Sequence, residues 1–433
     1  MAATTLPTQS FSYLSDNVPS KVKLVEAFKE RSLDSLRTPA AIIDRGIFAR
    51  NCAVMYDAVK SWNADFRAHT REGTALQLQI SDSKKTSAVV VSTIMEGQEI
   101  IRSGLVHERI VNDMLYGLPI GFNKLAELAA MADVLESYQG NLRILVDHPH
   151  QIQILEEYNK LNNRRSPWSV FVKIETGGKR AGVDPDSLAF TNLLQNLFAS
   201  SAISVYGFYC HAGQSYGSTS LHEASEFLST ELQTVNKAAK IAKDLLSAHS
   251  KEYDGTFVLS VGSTPTAHAF QEPTEEIRRQ LASVLHGKLE LHAGNYPMLD
   301  LQQIHTSLVS SERVALKILS TVLSYYPGRG KAGEDEALCD AGAIAMSKDT
   351  GPSGGFGDVI GRASWKLARV SQEHGVLVRT SKDELPLEIG SIIEIIPQHA
   401  CLTAANHPWY YIVDTNIGKS DEVVDIWVPW KGW

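Results

Sequence analysis

From Ala40 to about Leu308 the chain alternates short β-branched runs with amphipathic segments of helical length. That order produces parallel strands joined by covering helices, because a parallel pair needs a long crossover between its members. The strand-like runs are Ala40–Asp44, Phe66–His69, Ala88–Thr93, Asp113–Gly117, Arg143–Asp147, Val170–Glu175, Val205–Cys210, Phe257–Val261 and Leu289–Ala293. These nine candidates are one more than a closed eight-stranded barrel uses, and the first is free to pair elsewhere. Between them lie helical stretches such as Asn123–Leu135, Pro149–Leu161 and the unusually long Leu221–Ala248. The pattern predicts an α/β fold with a (β/α)8 barrel over residues 40–310. Beyond Ser310 the helical spacing fades. Runs at Val314–Tyr326, Ala337–Met346, Leu367–Val370, Gly375–Arg379, Ser391–Ile396, Tyr410–Val413 and Val423–Val428 predict a β-rich second domain over 311–433, joined by residues 1–39.

Bulk properties exclude several function classes. A length of 433 residues exceeds one ordinary domain, and 43% hydrophobic with 21% charged residues suits a soluble globular enzyme. The net charge of -8, with Lys and Arg dispersed, offers no basic stripe for nucleic acid and no polybasic membrane anchor. No apolar stretch reaches the ~20 residues needed to cross a bilayer. Cys52, Cys210, Cys339 and Cys401 lie far apart, and Met1 to Ser20 lacks the basic and apolar regions of a signal peptide, so a reducing, cytoplasmic location is expected.

In a parallel barrel the active-site mouth forms from the loops after the C-terminal strand ends. Four such loops here are rich in glycine and polar groups: Thr176 to Gly182, Tyr209 to Tyr216, Gly262 to Thr266, and Gly294 to Tyr296. Gly262, Ser263 and Thr264 suit a phosphate cradle, because glycine lets backbone N–H groups approach an anion and hydroxyls flank them. The same Gly-Ser-Thr-Pro also fits an ordinary helix start, with a hydroxyl N-cap and proline in the first turn. Tyr209 fits a barrel-lining core position as well as a cofactor contact. In the second domain, His399 and Cys401 follow the apolar run Ile392 to Ile396, read as a buried strand ending at Pro397. Imidazole and thiolate are ligands that zinc prefers, and two of them leave positions open for water or substrate, as catalysis requires.

The stretches Arg37 to Ala40, Lys179 to Gly182, Tyr209 to Gly213 with Ser215 and Tyr216, Gly262 to Thr266, His292 to Tyr296, Glu373 to Gly375 and Pro397 to Cys401 resemble eukaryotic zinc-dependent D-serine dehydratases. Those are fold-type III, alanine racemase-like enzymes related to D-threonine aldolases. The resemblance covers nearly the whole chain. It implies an alanine racemase-type barrel binding pyridoxal phosphate, a β-domain carrying zinc, homodimers, D-serine or a related D-hydroxy amino acid as substrate, and, for D-serine, conversion to pyruvate and ammonia. By resemblance Arg180 would sit near the pyridoxal hydroxyl, Tyr209 and Tyr216 beside the cofactor, and Gly262, Ser263, Thr264 and Tyr296 around its phosphate. His399 and Cys401 would hold zinc against the substrate's β-hydroxyl. The Cys401 thiolate favours a dehydratase over the aldolase alternative, whose second ligand is an oxygen.

One departure stands out. In the family the Schiff-base lysine follows the strand matching Phe66 to His69, in a pattern of the type His-x-Lys-Thr-His-Lys. Here Thr70-Arg71-Glu72-Gly73 follows at once, and no lysine lies between Lys60 and Lys84. No catalytic lysine is therefore assigned. A faulty gene product, a non-catalytic homologue, or substitution by Lys84 or Lys85 would each account for it; Arg71 cannot, because a guanidinium stays protonated.

Overall fold

A computed structural model of the chain describes residues 19–69, 86–248, 255–271, 275–352 and 354–433. Of the nine candidate strands, the first, β1 (Ala40–Asp44), pairs outside the barrel. The other eight close on themselves in sequence order: β2 (Asp65–His69), β3 (Ala88–Val91), β4 (Asp113–Pro119), β5 (Asn141–Val146), β6 (Trp168–Lys173), β7 (Ile203–Tyr209), β8 (Val258–Val261) and β9 (Lys288–Ala293). Every neighbour is parallel, and β2 on β9 completes the ring.

The second sheet holds β10 (Leu316–Tyr326), β11 (Glu336–Cys339), β12 (Gly357–Val359), β13 (Trp365–Ser371), β14 (His374–Arg379), β15 (Ile392–Pro397), β16 (Tyr410–Val413) and β17 (Asp425–Trp427). Its order is β11-β14-β13-β12-β15-β10-β1-β16-β17, and a β10–β11 pairing closes the first six strands of that order into an antiparallel barrel. Residues 40–44 thus lie in this sheet and not at the head of the barrel unit. Their all-apolar run explains why: Ala41 and Ile43 face the main core, while Ala40 and Ile42 pack with Leu319, Tyr411 and Val413.

Two strand readings change, and β12 forms where no run was expected. The run expected over Ala337–Met346 ends at Cys339, because the chain turns at Gly342, where a Cβ would lie 2.0 Å from the Gln372 carbonyl oxygen. β15 buries Ile393 and Ile395 but only partly covers Ile392 and Ile396. It is paired on both edges, by β12 and β10, yet covered fully on one face only, as antiparallel sheets commonly are.

Inside the parallel barrel, alternate residues point inward and form stacked layers. The lowest layer is ionic. Arg67 is fully buried and donates to Glu290 at 2.9 and 3.0 Å and to Asp113 at 2.7 Å, while Arg143 meets Asp113 at 2.6 Å. Above it Val90, Leu115, Leu145, Phe171, Tyr209 and Val258 form an apolar plug. The ionic layer cross-links β2, β4, β5 and β9.

Removing Arg67 leaves buried Glu290 without its cation and Asp113 with Arg143 alone, so Arg67→Ala should lose about 3–5 kcal/mol in urea denaturation. Burial opposes the charge on Asp113, but Arg67 and Arg143 hold its carboxyl below the usual carboxylate range. A depressed carboxyl contributes its stability above about pH 4 and loses it as pH falls below that. The acid-side loss of stability should therefore be shallower in Arg67→Ala than in the parent.

Candidate active site

The inward alternation continues past the plug. Two residues beyond Arg67, Val90, Leu115, Phe171, Tyr209 and Glu290 stand His69, Ser92, Gly117, Lys173, His211 and His292, and all six line one cavity at the C-terminal end of the barrel. Its volume is about 910 Å³, and His399, Cys401 and Trp433 from the second domain close its far side. A cavity of about 870 Å³ at the opposite end is lined by Arg67, Asp113 and Glu290, whose charges are already committed to one another.

The loop after β8 is held on every side. Gly262 has φ +146°, and a Cβ there would sit 2.0 Å from the His292 carbonyl oxygen. Glycine is required here by the neighbouring strand. Ser263 caps the helix Thr264–Ala269: its Oγ accepts from Thr266 N at 3.3 Å and lies 2.6 Å from Ser215 Oγ, and Thr266 Oγ1 accepts from Ser263 N at 2.8 Å. The helix-start reading of Ser263 is thus realised; Thr264 N donates to the Tyr216 hydroxyl at 3.4 Å, and both residues line the cavity. His211 Nδ1 donates to the Gly262 carbonyl at 2.7 Å. Behind the loop, fully buried Glu231 accepts from Ala212 N at 2.6 Å, and burial is the main cause that raises its carboxyl to about 7.

Arg180 is exposed on the cavity rim, where Glu175 shapes its loop by accepting from Gly177 N and Lys179 N at 2.8 and 2.7 Å. Tyr209 lies beneath the cavity: its ring stacks on His292 at 4.0 Å and 10°, and its hydroxyl is 3.2 Å from His69 Nε2. Tyr296 is turned away, buried and edge-on to Phe66 at 5.5 Å. The cavity therefore gathers Arg180, Tyr216, Gly262, Ser263, Thr264, His399 and Cys401, takes Tyr209 as its floor and leaves Tyr296 in the core. Desolvation keeps His211 and His292 well below the ordinary imidazole range, so both rings are neutral.

His399 occupies the N-cap position of the helix Ala400–Asn406, with Cys401 in its first turn. Asp349 lies 2.5 Å from His399 Nδ1 and leaves Nε2 for another partner, the arrangement in which a carboxylate orients a metal-binding imidazole. Burial opposes protonation of His399, but Cys401, Asp349 and Asp300 raise it to about 9. Zinc would have to displace that proton. Buried Asp300 accepts from Ala400 N at 2.8 Å and from Asn295 at 2.6 Å, tying this segment to the loop after β9. Among the described residues no group of three His, Cys, Asp or Glu side chains gathers to hold a metal. The donor chemistry fits zinc with open positions and does not amount to a closed structural site.

Buried His292 Nε2 and Asn295 Oδ1 have no partner among the described residues, and both residues line the cavity. Together with Arg180, Tyr216 and the cradle, these groups fit a phosphate-bearing aromatic ligand. Sequence reasoning did not assign His69, Lys173, His211, His292 or Asp349; counting by two along each strand from its core residues would have found the first four. The segment after His69, including Lys84 and Lys85, lies outside the described residues.

Residues 43–279 match the family described as alanine racemase, N-terminal domain, and residues 315–413 match the putative serine dehydratase domain. The chain is 42% identical over 425 residues to a D-serine dehydratase of Schizosaccharomyces pombe, covering 96% of each chain. The chain belongs to the D-serine dehydratase family. A D-serine dehydratase of Saccharomyces cerevisiae is 33% identical over 442 residues, covering 95% of this chain and 99% of that protein. Among solved structures, a cysteine-to-alanine mutant of D-threo-3-hydroxyaspartate dehydratase in the metal-free form superposes with TM-score 0.76 at 26% identity, covering 93% of this chain and all of that one. Family membership gives the alanine racemase-type barrel and antiparallel second domain the same meaning that the cavity does: a lyase scaffold.

The close approach at Gly262 makes a direct prediction. Gly262→Ala should stay folded by circular dichroism but lose about 1–3 kcal/mol of stability. Its affinity for pyridoxal phosphate in equilibrium dialysis should drop about tenfold or more, since the cradle must shift. Unchanged stability and affinity would place the cradle elsewhere.

Proposed function

We propose that this chain carries the site of a pyridoxal phosphate- and zinc-dependent lyase that converts D-serine to pyruvate and ammonia, or a related D-3-hydroxy amino acid to the corresponding 2-oxo acid and ammonia. The observation that carries the reading is the single cavity that joins the β8 cradle to His399 and Cys401, in a chain of this family. Tyr216, Ser263 and Thr264 would hold the phosphate, and Arg180 would meet the ring hydroxyl. When bound, pyridoxal phosphate supplies an electron sink for charge developing at the substrate α-carbon. Held by His399 and Cys401, zinc would supply Lewis acidity at the β-hydroxyl. His211 and His292 add no charge to the cavity wall, and Asp349 holds the His399 ring in one orientation. The thiolate supports dehydration over the aldolase alternative.

The reading extends to organisation. The barrel unit up to residue 310 would bind the cofactor and the unit from 311 would bear the metal, with homodimers as the assembly. Among the described residues no helix is long and apolar enough to cross a membrane, and a cytoplasmic location goes with the four free cysteines.

Metal analysis should find about one zinc per chain. Cys401→Ala should lose most of it, and Asp349→Asn should bind it about 10–100-fold more weakly. Full zinc in the double variant His399→Ala, Cys401→Ala would rule out this site.

The lysine-bearing segment decides turnover. Pyruvate formation from D-serine by the chain as written should be negligible. Insertion of a Val-Lys-Thr-His-Lys segment after His69 should bring it up by at least about 100-fold, the scale of a lost covalent and proton-transfer residue. A folded, zinc-loaded repaired chain that still made no pyruvate would identify a non-catalytic homologue.

A further inference from the structure

Lys173 is the last residue of β6 and shares the inward face with Phe171, so its side chain rises from the apolar plug into the cavity. It is 4% exposed. Burying an ammonium is costly unless a carboxylate compensates it, and this barrel meets that cost elsewhere: Arg67 and Arg143 are both bonded to buried carboxylates. Lys173 differs. Among the described residues its Nζ has no hydrogen-bond or ion-pair partner, and its contact is with the face of Tyr209, 5.2 Å from the ring centroid. The Tyr209 hydroxyl in turn reaches His69, the strand end beyond which the family places its lysine. One tyrosine therefore lies between the Lys173 amine and His69 at the end of β2.

We propose that Lys173 is a covalent anchoring site for an aldehyde-bearing ligand of this cavity, with pyridoxal phosphate the ligand that the cradle selects. The unprotonated Nζ adds its lone pair to the aldehyde carbon, a C=N bond forms, and the aldehyde oxygen leaves as water with the two amine protons. No oxidant or reductant is needed. Burial lowers the Lys173 ammonium to about 8, with Arg180 acting in the same direction and Cys210, Glu231 and Asp147 opposing it, so a minor share of the amine is free at neutral pH. The proposal rests on the reading that the cavity takes pyridoxal phosphate. It is separate from turnover, because Lys173 enters from β6, across the mouth from β2.

The test uses the full chain. After incubation with pyridoxal phosphate and borohydride reduction, peptide mass spectrometry should find the pyridoxyl group on Lys173. Equilibrium dialysis of unreduced protein reports binding in parallel. Lys173→Met and Lys173→Arg, each checked for fold by circular dichroism, should lose the adduct while still retaining ligand, held by phosphate contacts, at least about tenfold more weakly. In the chain repaired after His69 the adduct should move to the inserted lysine. Binding with no adduct, or with the adduct on Lys84 or Lys85, would overturn the anchoring role and leave the cofactor reading intact. Absence of any retained ligand in the parent chain would overturn both.

Discussion

Closure of eight parallel strands imposes one rule from which most of this molecule follows: every second residue must point into the barrel. The interior is narrow, so those residues stack in layers, and each layer has to satisfy itself. The bottom layer does so with charge, through Arg67, Arg143, Asp113 and Glu290. The middle layer does so by apolar packing around Phe171. The top layer cannot be closed in the same way, because there the strands end. His69, Lys173, His211 and His292 are left facing a cavity, and polar side chains held against an open space are the cost of having a mouth at all.

The second domain completes that mouth through polar bonds to the barrel. Asp300, buried after β9, reaches Ala400 at the start of the helix that carries Cys401, and the same carboxylate holds Asn295. The loop after β8 is tied to the loop after β7 by Ser215 and His211, with Glu231 behind. Each candidate ligand thus sits on backbone whose donors and acceptors are already committed. Such prior ordering is what a site needs if binding is not to be spent on arranging the protein.

The barrel was legible because its signal is local. Strand runs at Asp113, Tyr209 and Ala293 end within two residues of their expected limits, and the helix Leu221–Ala248 was read to the residue. The motif residues Gly262, Ser263, Thr264, Arg180, Tyr216, His399 and Cys401 line one cavity. Tyr296 packs in the core instead, because a residue just past a strand end can turn back into the core as easily as outward. For Ala40–Asp44, an apolar run reports that both faces are buried without saying between which layers.

Sequence alone determined the strand runs of the parallel barrel, the order of barrel and β-domain, the His-x-Cys pair and the missing lysine, since each is a matter of residue type at short range. Only the tertiary structure decided that β1 crosses to the second sheet, that Gly262 answers to the His292 carbonyl, and that Asp349 stands beside His399. It also decided that, among the described residues, Lys173 makes no ion pair where Arg67 makes two. The reason is physical: pairing, burial and desolvation depend on which distant segments meet, and periodicity along the chain says which way a side chain points but not what waits there.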